Sequence, residues 1–101
     1  MAMRFTILGS GSAGNAALLV TAEARVLIDA GFSTRRLAQL LAAQGESLER
    51  VDAVFLTHEH GDHAGGLDGL RRHPHLRVFA NHATSRAVQA GLSWNVGWQL
   101  F

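Results

Sequence analysis

The sequence of 101 residues contains no cysteine. This absence excludes disulfide bonds, thiol nucleophiles and cysteine-ligated zinc, so any metal site must use histidine and carboxylate ligands. A chain without disulfides also suits a reducing compartment, and we therefore expect a cytoplasmic location.

Long hydrophobic runs are missing as well. No apolar segment approaches the roughly 20 residues that a membrane-spanning helix needs, so we expect no membrane partner. The first ten residues, MAMRFTILGS, carry one arginine and then a strand-like pattern, which is unlike a secretory signal. Lysine is also absent, and the net charge of +1 does not by itself predict nucleic-acid binding.

The residues that are present suffice for one folded domain, since 48% are hydrophobic and only 17% are charged. Strands that first follow one another and then alternate with helices indicate an α/β domain. The predicted strands cover residues 4–8, 16–21, 25–29, 52–57 and 77–80. Helices are predicted from a cap at Ser33 or Thr34 to Gln44, and over residues 67–72 and 84–90.

The end of the chain, LSWNVGWQLF, alternates apolar and polar side chains like a half-buried strand. An apolar strand without a partner favours aggregation. We therefore expect residues 1–101 to be the N-terminal part of a single larger domain whose C-terminal half is absent. We also expect the exposed end, residues 94–101, to make this piece self-associate.

A glycine pattern behind the first strand suggests an alternative. Gly9, Gly11 and Gly14 match the G-x-G-x-x-G fingerprint of dinucleotide-binding domains, with Asp29 as the acid that would bind the ribose. This alternative requires a helix at residues 15–24, which would be short for a crossover between parallel strands. Asp29 is also closer to the glycines than the fingerprint prefers. We favour a tight turn between two strands, with some scope for it to line a substrate pocket.

The segment THEHGDHAGG, at residues 57–66, concentrates metal-binding side chains. Residues two apart on an extended backbone point the same way, so His58 and His60 can bind one cation. Gly61 permits a turn, after which Asp62 and His63 can reach a second cation. Imidazole and carboxylate ligands suit Zn²⁺, with Mn²⁺ or Fe²⁺ as alternatives. A solvated histidine-rich loop is the other interpretation, but crowding these groups without a metal would be costly.

THEHGDHAGG resembles the signature of the metallo-β-lactamase superfamily, the αββα metallohydrolases. Three segments are similar, in this order, to its YycJ/WalJ-like branch: RFTILGSGSAGNAALLV, RVLIDAGFSTRRLAQLL and VDAVFLTHEHGDHAGGL. The resemblance implies the N-terminal half of the αββα fold, with a mixed sheet and flanking helices. It assigns His58 and His60 to a first metal ion, and Asp62 and His63 to a second. Asp29 matches the acid of the family's first motif and is expected to hydrogen-bond the metal loop from outside; an ordinary turn residue is the alternative.

The resemblance also implies a function. A metal-dependent hydrolase of this branch would use a hydroxide activated by two metal ions, oriented by Asp62, to cleave phosphodiesters, with DNA exonuclease activity. The superfamily completes its site with ligands from the second half of the fold, which have no match here. We therefore expect the 101-residue chain alone to be a metal-binding module without catalysis. His82 is a weaker candidate ligand, and His73 and His75 are interpreted as a solvated loop.

Overall fold

The computed structural model describes residues 3–58 and 60–101, except for the side chain of residue 62. Six strands form a single sheet in which the spatial order follows the sequence. The strands are β1 (Arg4–Gly9), β2 (Ala16–Val20), β3 (Arg25–Ile28), β4 (Ala53–Phe55), β5 (Arg77–Ala80) and β6 (Gln99–Leu100).

The sheet is mixed, as predicted. β1, β2 and β3 pair in antiparallel fashion, whereas β3, β4, β5 and β6 pair in parallel. Antiparallel neighbours need only a short turn, but each parallel pair needs a crossover connection, and helices fill those connections. They are α1 (Thr34–Ala42), α2 (Gly61–Ala64) and α3 (His82–Gln89), with short 3₁₀ helices at Leu48–Arg50 and Leu67–Arg72.

The dinucleotide-binding alternative is wrong, because Ala16–Val20 is a strand paired on both sides and residues 15–24 are not a crossover helix. Two of the three fingerprint glycines, Gly9 and Gly14, serve packing instead. A Cβ atom at Gly9 or Gly14 would collide with the ring of Phe32, which lies against both positions. The turn therefore needs glycine for close approach to an aromatic ring.

Side-chain caps set the helix starts. Ser33 Oγ accepts a hydrogen bond from Arg36 N at 3.2 Å, so α1 begins at the predicted cap. Asn81 Oδ1 accepts from Thr84 N at 2.8 Å, and α3 therefore starts two residues before the predicted bound.

The predicted strand at residues 94–101 is wrong for most of its length, since only Gln99–Leu100 pairs with the sheet. The reason is the side chain of Gln89, whose amide group makes hydrogen bonds that a neighbouring strand would otherwise make. Its Oε1 accepts from Val96 N and Trp98 Nε1, both at 3.0 Å, and its Nε2 donates to Trp94 O at 2.6 Å. The alternating apolar residues are thus held as a coil against α3.

Both faces of the sheet are apolar. On the helix-covered face, one row across four strands is fully or nearly fully buried: Leu18, Leu27, Val54 and Val78. On the opposite face, two rows of apolar residues cross the sheet in register, formed by Phe5, Leu19, Val26 and Ala53, and by Ile7, Ala17, Ile28, Phe55 and Phe79. Sheets buried on both faces carry this pattern.

The second face is nevertheless open to solvent. Phe5 and Ile7 are each 57% exposed, and Phe101, whose ring lies 5.9 Å from that of Phe55, is 70% exposed. Large exposed apolar surfaces are uncommon on monomeric soluble proteins. No helix among the described residues is both long and apolar enough to cross a membrane.

An ion-pair bridge fixes the chain after α1 to the sheet. The Glu46 carboxylate lies 2.7 Å from Arg4 Nη2 and 2.7 Å from Arg25 Nε. Burial raises the pKa of Glu46, but the hydrogen bonds and positive charges of Arg25 and Arg4 together hold that pKa below its usual value.

The substitution Glu46→Gln is expected to lower the free energy of unfolding, because it removes the negative charge that pairs with Arg4 and Arg25. The expected loss is only about 1 kcal/mol at neutral pH, since both arginines are partly exposed. Since folding lowers the pKa of Glu46, its stabilisation is present above the unfolded-state pKa and disappears as pH falls through the folded-state pKa. Urea unfolding of both proteins from pH 7 into the acid range measures this difference. Glu23→Gln, in the exposed β2–β3 turn, is the control, and a Glu46 effect that stays constant into acid would contradict the assignment.

Candidate metal centre

The candidate metal loop, residues 57–66, lies at one edge of the sheet. β3 and β4 are parallel and in register, with Ile28 opposite Phe55, so the residues that follow them leave the sheet side by side. Asp29 N donates to Phe55 O at 2.8 Å and extends this pairing by one step. The loop then enters α2, with His60 as the residue before the helix.

The carboxylate of Asp29 joins the end of β3 to the metal loop. Oδ1 accepts from Thr57 N at 2.8 Å, while Oδ2 accepts from Thr57 Oγ1 at 2.7 Å and from His63 Nδ1 at 2.8 Å. The residue is 6% exposed and has a φ of 67°, a backbone conformation that Asp tolerates better than most residues. Asp29 therefore contacts the metal loop from outside, through two of its residues.

Backbone hydrogen bonds fasten the same loop from a second side. Ala30 N donates to His63 O, and Gly66 N donates to Ala30 O, both at 2.7 Å. A Cβ atom at Gly66 would collide with the carbonyl oxygen of Phe32. Position 66 therefore requires glycine, because the metal loop passes this close to the backbone of residues 30–32.

The hydrogen bonds also assign protons to two imidazoles. A carboxylate can only accept, so the single hydroxyl proton of Thr57 goes to Asp29. His58 Nδ1, 2.9 Å from Thr57 Oγ1, must then donate to that oxygen, and His63 Nδ1 must donate to Asp29. Nδ1–H on both rings therefore satisfies these contacts, and an imidazole protonated only there would bind a metal through Nε2.

The ring positions bring His58 closest to His63. Their ring centroids are 4.6 Å apart, whereas those of His58 and His60 are 6.2 Å apart. Within the described side chains, no three histidines or carboxylates form a group that could hold a metal ion. Imidazole nitrogens suit a divalent cation chemically, but among the described side chains no more than two such ligands lie close enough to share one ion, short of the three protein ligands of a catalytic zinc site.

Asp62 is the predicted ligand whose side chain lies outside the described part of the structure. Its backbone belongs to α2, one residue before His63. Its predicted roles, as a ligand of the second metal and as the catalytic carboxylate, stay predictions.

The other histidines lie elsewhere. His82 is exposed at the first position of α3. His73 and His75 precede β5, at the sheet edge opposite the metal loop. The interpretation of this pair as a solvated loop is incomplete, because His75 Nε2 lies within hydrogen-bond distance of Leu48 O, at 3.0 Å.

Sequence reasoning missed Thr57. Its hydroxyl connects Asp29 with His58, yet a lone threonine at the end of a strand carries no pattern that identifies such a role. Its position directly before the first histidine of the motif was the only available signal.

Comparisons with known proteins bear on the family and the fold of the chain. The family model described as the metallo-beta-lactamase superfamily matches residues 9–99. Exodeoxyribonuclease WalJ of Streptococcus pneumoniae is 38% identical over 86 residues, which cover 85% of this chain and 32% of that protein. Exodeoxyribonuclease YycJ of Bacillus anthracis is 37% identical over 89 residues, which cover 88% of this chain and 34% of that protein. The crystal structure of a diphosphatase from the PhnP family superposes with a TM-score of 0.78 at 20% identity, over 99% of this chain and 51% of that one.

The substitution Asp29→Asn is expected to lower the free energy of unfolding by about 1–3 kcal/mol. Asparagine tolerates the positive φ, so the backbone is not the cause. Its amide can still accept from Thr57 N, but its NH₂ group would face the donors from Thr57 Oγ1 and His63 Nδ1. Urea unfolding measures the loss.

Asp52→Asn is the matched control, because Asp52 Oδ2 accepts one backbone hydrogen bond, from Arg25 N at 2.8 Å. A loss at Asp29 no larger than the loss at Asp52 would contradict the role given to the Asp29 carboxylate.

Proposed function

This chain belongs to the metallo-β-lactamase superfamily, and we propose that it supplies the first metal ligands of a hydrolase that cleaves phosphodiesters in DNA. The observation that carries the proposal is the hydrogen-bond network of Asp29 and Thr57, which contacts both His58 and His63 at Nδ1, so that a metal would bind these rings through Nε2. The substrate class is supported by two relatives that are exodeoxyribonucleases, at 38% and 37% identity.

His58 and His60 are proposed to hold one divalent cation, and Asp62 and His63 a second. Zn²⁺ suits these ligands best, and Mn²⁺ and Fe²⁺ are the alternatives. When bound, such a pair of cations supplies Lewis acidity that makes water nucleophilic near neutral pH.

The chain's own residues contribute orientation. The Asp29 carboxylate holds the His63 ring at Nδ1, and a carboxylate in this position both fixes the ring and raises the basicity of the ligating nitrogen. Thr57 holds the His58 ring in the same way through its hydroxyl. The Asp62 carboxylate is proposed to orient the attacking water as well as to bind metal. Cysteine is absent from the sequence, and the proposal needs no side-chain nucleophile.

The remaining ligands are proposed to come from the rest of a metallo-β-lactamase fold. This chain spans 32% and 34% of the length of the two exodeoxyribonucleases, and one face of its sheet is apolar and partly exposed, with Phe5 and Ile7 each 57% exposed. We propose that the rest of the fold covers this face. On its own, the chain is then a metal-binding module that does not turn over substrate and that self-associates through its exposed end, residues 94–101, where Phe101 lies beside Phe55 of the same face. The cytoplasmic location remains a prediction.

Metal titration tests the proposal. The chain is stripped with chelator, Zn²⁺ or Mn²⁺ is added, and bound metal per chain is measured by calorimetry and atomic spectrometry. The double variant His58→Ala/His60→Ala is expected to lose at least about tenfold in metal affinity, since the cation loses two nitrogen ligands. His82→Ala, which changes an exposed histidine outside the loop, is the control and should bind like the original chain.

Equal metal binding by the original chain and the double variant would contradict the proposal. The substrate class has its own readout in a protein that carries this chain together with the rest of the fold. There, metal-dependent release of nucleotides from DNA is expected, and the same double substitution should abolish it. Turnover of a β-lactam with no action on DNA would refute the phosphodiester assignment.

A further inference from the structure

The glycine loop, residues 10–13, lies at the same sheet edge as the metal loop. β1 and β3 both pair antiparallel with β2, so β1 and β3 run in the same direction and end at the same edge. Two consecutive residues, Ala30 and Gly31, then connect the metal loop with Asn15, which lies just after the glycine loop. Ala30 N donates to His63 O at 2.7 Å, and Gly31 N donates to Asn15 O at 3.0 Å.

Contacts with Asn15 and Phe32 fix the conformation of the glycine loop. Asn15 Oδ1 accepts from Gly11 N at 3.1 Å, and Asn15 Nδ2 donates to Gly11 O at 2.7 Å, so one side chain closes the turn in both directions. The ring of Phe32 packs directly against Gly9 and Gly14 on either side. The backbone of the loop is therefore set before any ligand arrives.

The tip of the loop presents donors without partners. Ser10, Gly11 and Ser12 are exposed, and a Cβ atom at Gly11 would meet nothing within 4 Å. Among the described residues, neither the Ser10 and Ser12 hydroxyls nor the Ser12 and Ala13 amides have a hydrogen-bond partner. The loop contains no carboxylate that would repel an anion.

We propose that the glycine loop binds a phosphate group of the substrate beside the metal loop. The donors are neutral hydroxyl and amide groups on successive residues, an arrangement that suits the oxygens of an anion. This inference rests on the proposed function, because it is the phosphodiester of that function that the loop would position. The loop is thus a positioning and specificity element of the site.

Phosphate binding to the metal-free chain tests the inference. With chelator present, the backbone amides are followed by NMR during titration with inorganic phosphate, the dinucleotide thymidylyl-thymidine, or acetate as a carboxylate. Phosphate and the dinucleotide are expected to shift the amides of Ser12 and Ala13, and acetate to shift them much less. The double variant Ser10→Ala/Ser12→Ala should bind phosphate about tenfold more weakly, since two donors to a charged group are lost.

Ser47→Ala is the matched control, because the Ser47 side chain makes no capping hydrogen bond and lies before β4, at the other edge of the sheet. Thermal unfolding of each variant verifies that it is folded. The inference is overturned by shifts that miss residues 10–13, by unchanged affinity in the double variant, or by acetate that binds as well as the dinucleotide. Because metal is excluded, these failures leave the proposed function standing. Equal metal binding by the original chain and the His58→Ala/His60→Ala variant would instead contradict the proposed function itself.

Discussion

The Asp29 carboxylate is the point on which the candidate site depends. Three donors from the metal loop converge on its two oxygens, so each oxygen of this buried group is hydrogen-bonded. The positive φ of Asp29 turns the chain sharply enough for Ala30 to bond the same loop through its backbone. One residue thereby fixes both the path of the loop and the orientation of an imidazole.

The sheet makes this convergence possible. Ile28 and Phe55 are partners in the parallel register, so Asp29 and the residues after β4 emerge together at one edge. β1 ends at the same edge and adds the glycine loop. The same strands carry apolar residues on both faces, and the short parallel segments suit a layer buried on both sides. The position of the candidate site and the presence of an exposed apolar face therefore both follow from the arrangement of the strands.

Strong local signals made part of this predictable from sequence. Residues 77–80 form a strand with the predicted bounds, and Ser33 starts α1 as its side chain suggested. The four residues of α2 are too few to show a helical period, so this helix escaped prediction. The coil before β6 was not predicted either, because the side chain of Gln89, rather than a neighbouring strand, hydrogen-bonds its polar groups. The bridging role of Thr57 depends on tertiary contacts that no local pattern encodes.

The most direct test of the central claim is the protonation state of the imidazole nitrogens. Two-bond proton–nitrogen correlation NMR on the metal-free chain, at a pH where the rings are neutral, distinguishes Nδ1–H from Nε2–H. His58 and His63 are both expected to carry the proton on Nδ1, and Asp29→Asn is expected to release His63 into a mixture of tautomers. His63 with its proton on Nε2 in the unsubstituted chain would contradict the claim that the Asp29 carboxylate prepares this ring for metal.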